Sequence, residues 1–565
     1  MKKQTLRKAF ALILALAMLC SVFCFPASAE TAPVADSGDD YTTVLVHGLL
    51  GWGDEDGLSD LISIWGLTSG NMPDYLRDLG YDVYVASIGP ISSAHDRCCE
   101  LYAQLTGARV DYGQAHADKC TAEYASLGYS LTHDRYGRDY TGDPHVENWG
   151  PIYENGKVVG FYDNKINLVG HSFGGPTALE FLDLLANGDA DEIAWAKEQQ
   201  ALYGGDWHDY ISPLFWGDYH GEYLIHSVTS LAGVLNGTTF ITANDDAMDL
   251  MTALLMLIAN ATGSTFIADI YDFQLEQFGL TAIPGSDVKA KFSFLAQKGY
   301  IAGSDHAFYD LTTHGTNELK HGWETYPNVY YFSYSCDKSY KAGGAYMPDP
   351  DMLFLLIPFS MVMGSYKDPN ELVYNLEGTV YSGIDAEWMP NDGMVNTVTS
   401  RYPLGAPHRS YNVNDIASGV WNVHPDIDKD HFGIVGSFLS PDPIGTRKLF
   451  RGVLEDISRT TPIRDEHPVV IGAMANALDA PVIKKASRTL LTKKPSLDWK
   501  AVSGAASYQI YRATSENGTY SLIGTTVLTS YTDFSAPAGT CYYKLVAVPL
   551  SRSKSASPFS AVFSV

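Results

Sequence analysis

Residues 165–188 read KINLVGHSFGGPTALEFLDLLANG, and this stretch decides the fold. Ile166–Gly170 forms a short apolar run that predicts a buried strand. Pro176–Asn187 carries apolar residues at helical spacing, and Gly188 is a suitable end for the helix. A buried strand that turns directly into a helix is typical of an α/β sheet with parallel strands.

The turn between that strand and helix, Gly170-His171-Ser172-Phe173-Gly174, matches the pattern G-x-S-x-G. Glycines on both sides of a serine leave space for a sharp turn, so that the hydroxyl stands clear and the helix N-terminus faces a developing oxyanion. Such a short pattern also occurs by chance, and its strand-to-helix context is what favours function. The sequence therefore predicts Ser172 as a nucleophile.

Two further β-branched runs predict strands of the same sheet. They are Thr42–His47, TTVLVH, and Asp82–Gly89, DVYVASIG. The first ends in His47-Gly48-Leu49, a turn suited to the second half of an oxyanion hole, in which the Leu49 amide would pair with the Phe173 amide. A tight glycine turn without a catalytic part is the alternative interpretation.

Length and composition restrict the class of protein. A chain of 565 residues predicts at least two folded units. With 45% hydrophobic and 18% charged residues it is globular rather than disordered. A net charge of -27 predicts no nucleic-acid partner. The cysteines beyond residue 29 form an odd, sparse set that predicts no disulfide framework but leaves one bridge open: Cys98, Cys99, Cys120, Cys336 and Cys541.

The N-terminus has the pattern of a secretory signal over residues 1–29. Basic residues precede the apolar run Ala9–Phe25, and Ala27-Ser28-Ala29 supplies small residues for cleavage near Ala29. A retained anchor is the alternative, although the run is short for a spanning helix of about 20 residues. We therefore expect a secreted, extracellular protein.

The composition changes after about Gly472. Residues 473–494 predict a linker, and the alternating pattern with close Gly, Asn and Ser turns over residues 495–565 predicts a small antiparallel β-sandwich. This segment resembles bacterial fibronectin type III modules, with Trp499 in the core. Its role as a spacer or as a binder of carbohydrate, cell wall or protein stays open, as does the oligomeric state.

A nucleophilic serine requires a general base and an acid that orients it. In hydrolases built on such a sheet the acid and then the histidine follow the serine along the chain. Asp392 in Asn391-Asp392-Gly393 and His431 after Asp430 both suit strand-end loops. Other Asp-Gly turns and the rest of the 16 histidines compete with them, so the residues alone do not decide.

Residues Tyr41–Phe450 resemble the zinc-containing true lipases of staphylococci and thermophilic bacilli. Blocks that carry the resemblance, in the same order, include VLVHGLLGWG, LVGHSFGG, YDFQLEQFGL, GIDAEWMPNDGMVNTVT and GVWNVHPDIDKDHFGIVG. The resemblance implies an α/β-hydrolase domain at 39–472 with a zinc-bearing insertion and a lid helix. It assigns Asp392 and His431 to the acid and the base, and it implies a triacylglycerol lipase acting on long-chain acyl esters at a lipid–water interface.

The resemblance also implies a structural zinc site made from Asp96, His116, His133 and Asp305. Two carboxylates and two imidazoles make a neutral, closed tetrahedral site that stabilises the fold without activating water. An insertion before His133 makes this ligand a departure from the family pattern. His95 replaces an aromatic residue of the family and is interpreted either as an alternative ligand or as a solvated side chain.

A calcium site is the second metal site that the resemblance implies, and here the match weakens. The family expects a Glu two residues after the catalytic histidine, where this chain has Gly433. Asp442-Pro443 stands for an Asp-Pro ligand pair, but Pro350 replaces a glycine whose carbonyl would bind. A calcium ion loses a charged oxygen ligand at Gly433, so calcium stays open.

Asn244–Ala261, NDDAMDLMTALLMLIANA, has apolar residues at helical spacing and predicts a helix. Periodicity alone favours a core helix, whereas the resemblance places the lid over the acyl pocket here. The preceding turn Val234–Thr238 departs from the family, which changes the expected pocket shape. A short-chain carboxylesterase and an inactive hydrolase that binds surfaces through its C-terminal sandwich remain the alternative functions.

Overall fold

The computed structural model describes residues 41–565, except 57, 60–61, 155, 163, 244–270, 282, 284–287, 438–440, 462, 464–479, 490–492, 504, 516–519, 550–559 and 561. The predicted signal at 1–29 and the predicted lid helix at 244–261 lie outside the described residues.

The strands of the described residues are numbered in chain order. They are β1 Thr42–Val46, β2 Val83–Val85, β3 Arg109–Asp111, β4 Tyr136–Asp139, β5 Pro151–Glu154, β6 Lys157–Phe161, β7 Ile166–His171, β8 Ile225–Leu231, β9 Tyr330–Tyr334, β10 Ser339–Ala342, β11 Ala345–Pro348, β12 Asp368–Tyr374, β13 Val380–Ile384, β14 His408–Ser410, β15 Trp421–Val423, β16 Ile483–Arg488, β17 Pro495–Trp499, β18 Ala505–Ala513, β19 Ser521–Thr526, β20 Ser530–Thr532, β21 Tyr542–Pro549 and β22 Phe563–Ser564.

The helices of the same residues are also numbered in chain order. They are α1 Met72–Asp78, α2 Ala94–Thr106, α3 Gln114–Ser126, α4 Gly174–Asn187, α5 Ala190–Tyr203, α6 Thr239–Thr242, α7 Val288–Lys298, α8 Ala307–Asp310, α9 Thr313–Leu319, α10 Ile357–Met363, α11 Thr397–Arg401 and α12 Pro443–Ser458. None of the helices in the described part of the chain is long and apolar enough to cross a membrane.

A seven-stranded sheet of order β14-β15-β9-β8-β7-β1-β2 organises the part of the chain that carries the predicted site. Every neighbouring pair in it is parallel. All residues of β1, β7, β8 and β9 are buried, as expected for strands covered by helices on both faces. The predicted α/β class is therefore confirmed, and the carboxyl ends of these parallel strands share one edge.

The chain divides into two compact units. The first contains residues 1–147, 164–183 and 224–463, and the second contains residues 148–163, 184–223 and 464–565. The first unit includes the parallel sheet and the candidate residues. The predicted domain limits, 39–472 and 495–565, stay a prediction.

The C-terminal segment of the second unit forms two antiparallel sheets, of order β16-β17-β20 and β19-β18-β21-β22. Trp499 lies in their common core with Leu497, Ile510 and Tyr543, as the sequence predicted. One detail corrects the expected linker at 473–494: its residues Ile483–Arg488 pair with β17 as strand β16. Main-chain pairing therefore makes this stretch part of the sandwich.

The turn Val234–Thr238, which departs from the family pattern, contains Asn236, and the side chain of Asn236 makes buried polar contacts. Lys320, at the end of α9, donates from Nζ to Asn236 Oδ1 over 3.2 Å. Asn236 Oδ1 also accepts from the Leu404 amide, and its Nδ2 donates to the carbonyls of Thr399 and Tyr402. The amide thus joins the end of α9 to residues 399–404, while burial lowers the pKa of Lys320 to about 7.

Lys320→Met should remove part of the pH dependence of stability. An unfolded lysine holds its proton up to about pH 10, whereas the folded Lys320 releases it near 7. Between these values the unfolded state binds more protons, so the free energy of unfolding of the native protein rises with pH. Because one pKa unit corresponds to about 1.4 kcal/mol, the rise amounts to at most a few kcal/mol. The free energy of unfolding of Lys320→Met should rise less over the same pH range.

Urea titrations between pH 7 and 9 measure this difference. The exposed Lys341→Met in β10 is the matched control and should follow the native protein. Parallel pH curves for the native protein and Lys320→Met would contradict the prediction.

Candidate catalytic and metal sites

Ser172 lies on a strained turn between β7 and α4, with φ of 57° in the left-handed region. A serine pays for this conformation only where its neighbours hold it, and such residues cluster at functional sites. The flanking glycines allow the turn: a Cβ at Gly170 would lie 2.2 Å from the Gly174 carbonyl oxygen, and one at Gly174 would lie 2.0 Å from the Val46 oxygen. The G-x-S-x-G pattern is thus explained by backbone packing.

The turn after β1 packs directly against this serine. A Cβ at Gly48 would lie 2.6 Å from Ser172 Cβ and 3.1 Å from its Oγ, so only glycine allows the approach. Leu49 follows Gly48, and Leu50, which also has a positive φ of 59°, donates from its amide to the Pro90 carbonyl over 2.8 Å. The Gly48-Leu49 turn therefore packs beside Ser172, and Phe173 follows the serine in the chain.

Asp392 and His431 form a buried hydrogen-bonded pair. His431 Nδ1 donates to Asp392 Oδ2 over 2.8 Å, and the His431 amide donates to the Asp392 carbonyl over 3.0 Å. Asp392 Oδ1 accepts from the amides of Met394 and Val395. Two amide donors and one imidazole donor therefore hold the carboxylate in one orientation.

One pocket contains Ser172 and His431 together. Its apolar lining includes Ile64, Val234, Phe240, Leu311 and Met394, and the Gly48–Leu49 turn also borders it. His171 supports the histidine from behind: its Nε2 donates to the His431 carbonyl over 3.1 Å, and burial lowers the pKa of His171 well below the ordinary range. A neutral His171 can orient the loop without adding a charge.

The four predicted zinc ligands meet in a second buried cluster, which joins α2, α3, the loop before β4 and the start of α8. One potential ligand atom from each lies within 4.8 Å of every other. His116 Nε2 is 3.3 Å from Asp96 Oδ1 and 3.5 Å from Asp305 Oδ1. His133 Nε2 is 3.3 Å from Asp96 Oδ2. The insertion before His133 therefore does not remove this side chain from the cluster.

The chemistry of this cluster fits a bound cation. Asp96 Oδ1 and Asp305 Oδ2 are buried and make no hydrogen bond of good geometry among the described residues. Burial would raise the pKa of Asp96, but His133 and His116 hold it well below its usual range. Two carboxylates and two imidazole nitrogens in a closed, buried site are ligand types that zinc accepts.

Three further residues contact the cluster. The sequence left the role of His95 open and did not predict the contacts of Gln277 and Cys120. His95 stacks on His116 with ring centroids 4.0 Å apart and donates from Nε2 to the Tyr112 carbonyl, which orients it as a support rather than a ligand. Gln277 Nε2 donates to Asp96 Oδ2 over 2.7 Å. Cys120 Sγ lies 3.5 Å from His116 Nε2, one turn along α3. The i, i+4 spacing of His116 and Cys120 is the only sequence signal for these contacts.

The residues around Asp442-Pro443 do not suit calcium. Asp442 caps α12, since its Oδ1 accepts from the Gly445 amide over 2.9 Å, and its Oδ2 accepts from Lys429 Nζ over 3.2 Å. Gly433 offers no carboxylate, and its amide donates to Asp430 Oδ1 over 2.7 Å. A lysine ammonium and backbone amides thus engage the oxygens that a calcium ion would need.

The family of the chain follows from comparison with known proteins. The family model of the lipase-like C-terminal domain matches residues 39–465. Lipase 1 of Staphylococcus aureus is 33% identical over 430 residues, which are 75% of this chain and 55% of that protein. The chain therefore spans about half the length of the curated relatives it matches.

Solved structures give the same result. EstA from Clostridium botulinum is 29% identical with a TM-score of 0.60 and covers 77% of this chain and 90% of its own. Lipase 1 from Pelosinus fermentans is 31% identical with a TM-score of 0.58, and the match covers 75% of this chain and 100% of that chain. The family model spans most of the parallel-sheet unit, and the chain belongs to the family of lipases with this lipase-like domain.

Proposed function

We propose that the protein is a secreted carboxylic-ester hydrolase that cleaves acyl esters through Ser172, His431 and Asp392. The observation that carries the proposal is the strained Ser172 in one pocket with a histidine already oriented by a buried aspartate. Membership of a lipase family and relatives named lipases support it. Secretion rests on the signal pattern of residues 1–29.

Acylation begins when Ser172 Oγ attacks the ester carbonyl carbon. Because Nδ1 of His431 donates to Asp392, Nε2 is the nitrogen that accepts the serine proton. The carbonyl π electrons move to oxygen, and the amides of Leu49 and Phe173 stabilise this oxyanion. When the intermediate collapses, the C–O bond to the alcohol breaks, and the alcohol leaves with the proton from His431.

Deacylation repeats these steps with water. His431 removes a proton from water as the oxygen attacks the acyl-enzyme, and the proton then returns to Ser172 Oγ as the fatty acid leaves. Asp392 keeps the imidazole oriented and stabilises its cation, while the amides of Met394 and Val395 hold the carboxylate in place by donating to Oδ1.

A triacylglycerol or another long-chain acyl ester is the proposed substrate. The side chains of Ile64, Val234, Phe240, Leu311 and Met394 line the pocket beside Ser172, and apolar walls suit an acyl chain. A short-chain carboxylesterase shares the chemistry, and acyl length separates the two functions. The C-terminal sandwich is proposed as an accessory module whose partner is not specified by its residues.

Asp96, His116, His133 and Asp305 are proposed to hold a structural zinc ion. When bound, zinc would neutralise the two carboxylates and join the segments that carry its ligands, which stabilises the fold by coordination. Gln277 would orient Asp96 through its 2.7 Å hydrogen bond.

Ser172→Ala should lower ester hydrolysis by about 10⁴- to 10⁶-fold because no other group replaces the nucleophile. The measurement is kcat/KM on emulsified long-chain and soluble short-chain esters, with the exposed Ser365→Ala as control. Activity that survives in Ser172→Ala would refute the mechanism. Confinement of native activity to short acyl chains would refute only the lipase assignment.

Asp305→Asn should lose the zinc ion, since it removes one of the two negative charges of the ligand set. Elemental analysis after dialysis should find about one equivalent of zinc in the native protein, and thermal unfolding of the variant should occur several degrees lower. His95→Ala is the matched control: it contacts His116 by stacking and should keep the metal. Equal zinc content in native protein and Asp305→Asn would contradict the site.

Calcium chelation should leave activity unchanged, because Lys429 and the Gly445 amide already engage the two oxygens of Asp442. Rates measured with EGTA and with added calcium should agree within about twofold on soluble esters, where calcium soaps do not form. A loss of activity in EGTA that calcium but not zinc restores would contradict the prediction.

A further inference from the structure

Arg97 lies completely buried beneath the oxyanion turn and reaches three different segments. Its Nη2 donates to the His47 carbonyl, its Nη1 donates to the Gly89 carbonyl over 3.0 Å, and its Nε donates to Thr177 Oγ1 over 3.1 Å. These acceptors lie after β1, after β2 and in the first turn of α4. One planar guanidinium therefore fixes the separation of three segments at the edge of the sheet.

Two of the three segments that Arg97 joins contain the proposed oxyanion donors. The His47 carbonyl belongs to the peptide that enters the Gly48-Leu49 turn. On the other side, the Phe173 ring lies over the guanidinium, with Cζ 4.9 Å from the ring centroid. Thr177 Oγ1, which accepts from Arg97, itself donates to the Phe173 carbonyl over 2.9 Å. Both donor peptides are thus linked to the same side chain.

The contact at Gly89 extends this support to the other end of the turn. Gly89 donates from its amide to Glu100 Oε2 over 2.5 Å while its carbonyl accepts from Arg97. The next residue, Pro90, accepts from the Leu50 amide. The turn is therefore held at its start through the His47 carbonyl and at its end through a segment that Arg97 also holds.

The acceptors of Arg97 are all neutral oxygens. Among the described residues no carboxylate lies within ion-pair distance of its guanidinium. A buried cation without a paired anion is costly, whereas an apolar side chain could fill the same space at lower cost. Stability alone gives little reason for an arginine here. Its five donors in one plane, however, match acceptors that lie on separate segments.

We propose that Arg97 is the positioning residue of the oxyanion hole: it sets the distance between the Leu49 and Phe173 amides without touching substrate. This inference rests on the proposed serine mechanism. It predicts that changes at Arg97 weaken binding of a tetrahedral anion at Ser172 and leave binding of the neutral acyl chain in the pocket nearly unchanged.

Two inhibitors of equal chain length separate these effects. When an n-alkylboronic acid binds, Ser172 Oγ adds to boron and gives its proton to His431. The product is a tetrahedral boronate anion. The corresponding n-alkanol occupies only the apolar pocket. The variants are Arg97→Met, Arg97→Lys and Thr177→Val, and each inhibition constant is compared with that of the native enzyme.

Arg97→Met should weaken binding of the boronic acid by about 10- to 100-fold, which is less than the effect of losing a complete oxyanion donor. It should change binding of the alkanol by less than about twofold. kcat should fall with KM nearly constant. Arg97→Lys keeps the charge but not the planar donors, so it should resemble Arg97→Met. Thr177→Val should give a smaller effect in the same direction, and it keeps the test available if Arg97 variants do not fold.

Arg77→Met is the matched control. Arg77 also donates from Nε to a carbonyl, that of Val83, over 3.0 Å, but it contacts Asp54 and Asp74 instead of the oxyanion turn. The variant Arg77→Met should therefore leave the ratio of the boronic acid and alkanol inhibition constants unchanged.

Unchanged boronic acid affinity in the variants, equal weakening of both inhibitors, or full recovery in Arg97→Lys would each overturn the inference. A native enzyme that is inhibited by the alkanol but not by the boronic acid would instead refute the serine mechanism, and the inference with it.

Discussion

The close backbone contact between two turns is the constraint on which the site depends. Gly48 approaches Ser172 so closely that no side chain fits between them, and Ser172 itself has the left-handed conformation that this approach requires. Strain of this kind persists only where surrounding structure determines it. Parallel strands β1 and β7 are neighbours, so their carboxyl ends bring the two turns together. The proposed nucleophile and the backbone amides proposed to stabilise an oxyanion therefore come from one feature of the sheet.

Helix α2 connects this site with the candidate metal site of Asp96, His116, His133 and Asp305. Ser93 caps the helix, Asp96 extends into the ligand set, and the next residue, Arg97, extends toward the oxyanion turn. Consecutive residues on a helix differ in direction by about 100°, so adjacent positions can serve two sites. A metal ion that orders the start of α2 would then also restrain the segment from which Arg97 reaches the oxyanion turn.

The loop that carries His431 is held by ion pairs rather than by a ligand set suited to calcium. Lys429 pairs with Asp442 at the start of α12, and Lys338 pairs with Asp428 and Asp351. Asp430 accepts from the Leu353 amide over 2.9 Å, which ties the loop to a neighbouring segment. Exposed ion pairs are individually weak and screened by salt. The buried hydrogen bonds of Asp392 with His431 and of Asp430 with the Leu353 amide therefore hold the loop more firmly than these ion pairs do.

Local sequence was enough to establish the parallel α/β class, the serine on its strand-to-helix turn and the sandwich core around Trp499. Through family resemblance it also predicted Asp392 and His431 as catalytic residues and four further residues as metal ligands, and these roles stay predictions. These follow from local periodicity, glycine positions and motif order, which short stretches of chain encode. Only the tertiary structure decided that His133 joins the metal cluster despite the insertion, that Lys429 contacts Asp442, that β16 belongs to the sandwich and that Arg97 contacts His47, Gly89 and Thr177. Those contacts depend on how separate segments meet in the fold, and partners such as backbone oxygens, a hydroxyl or a single charge leave no spacing pattern in the sequence.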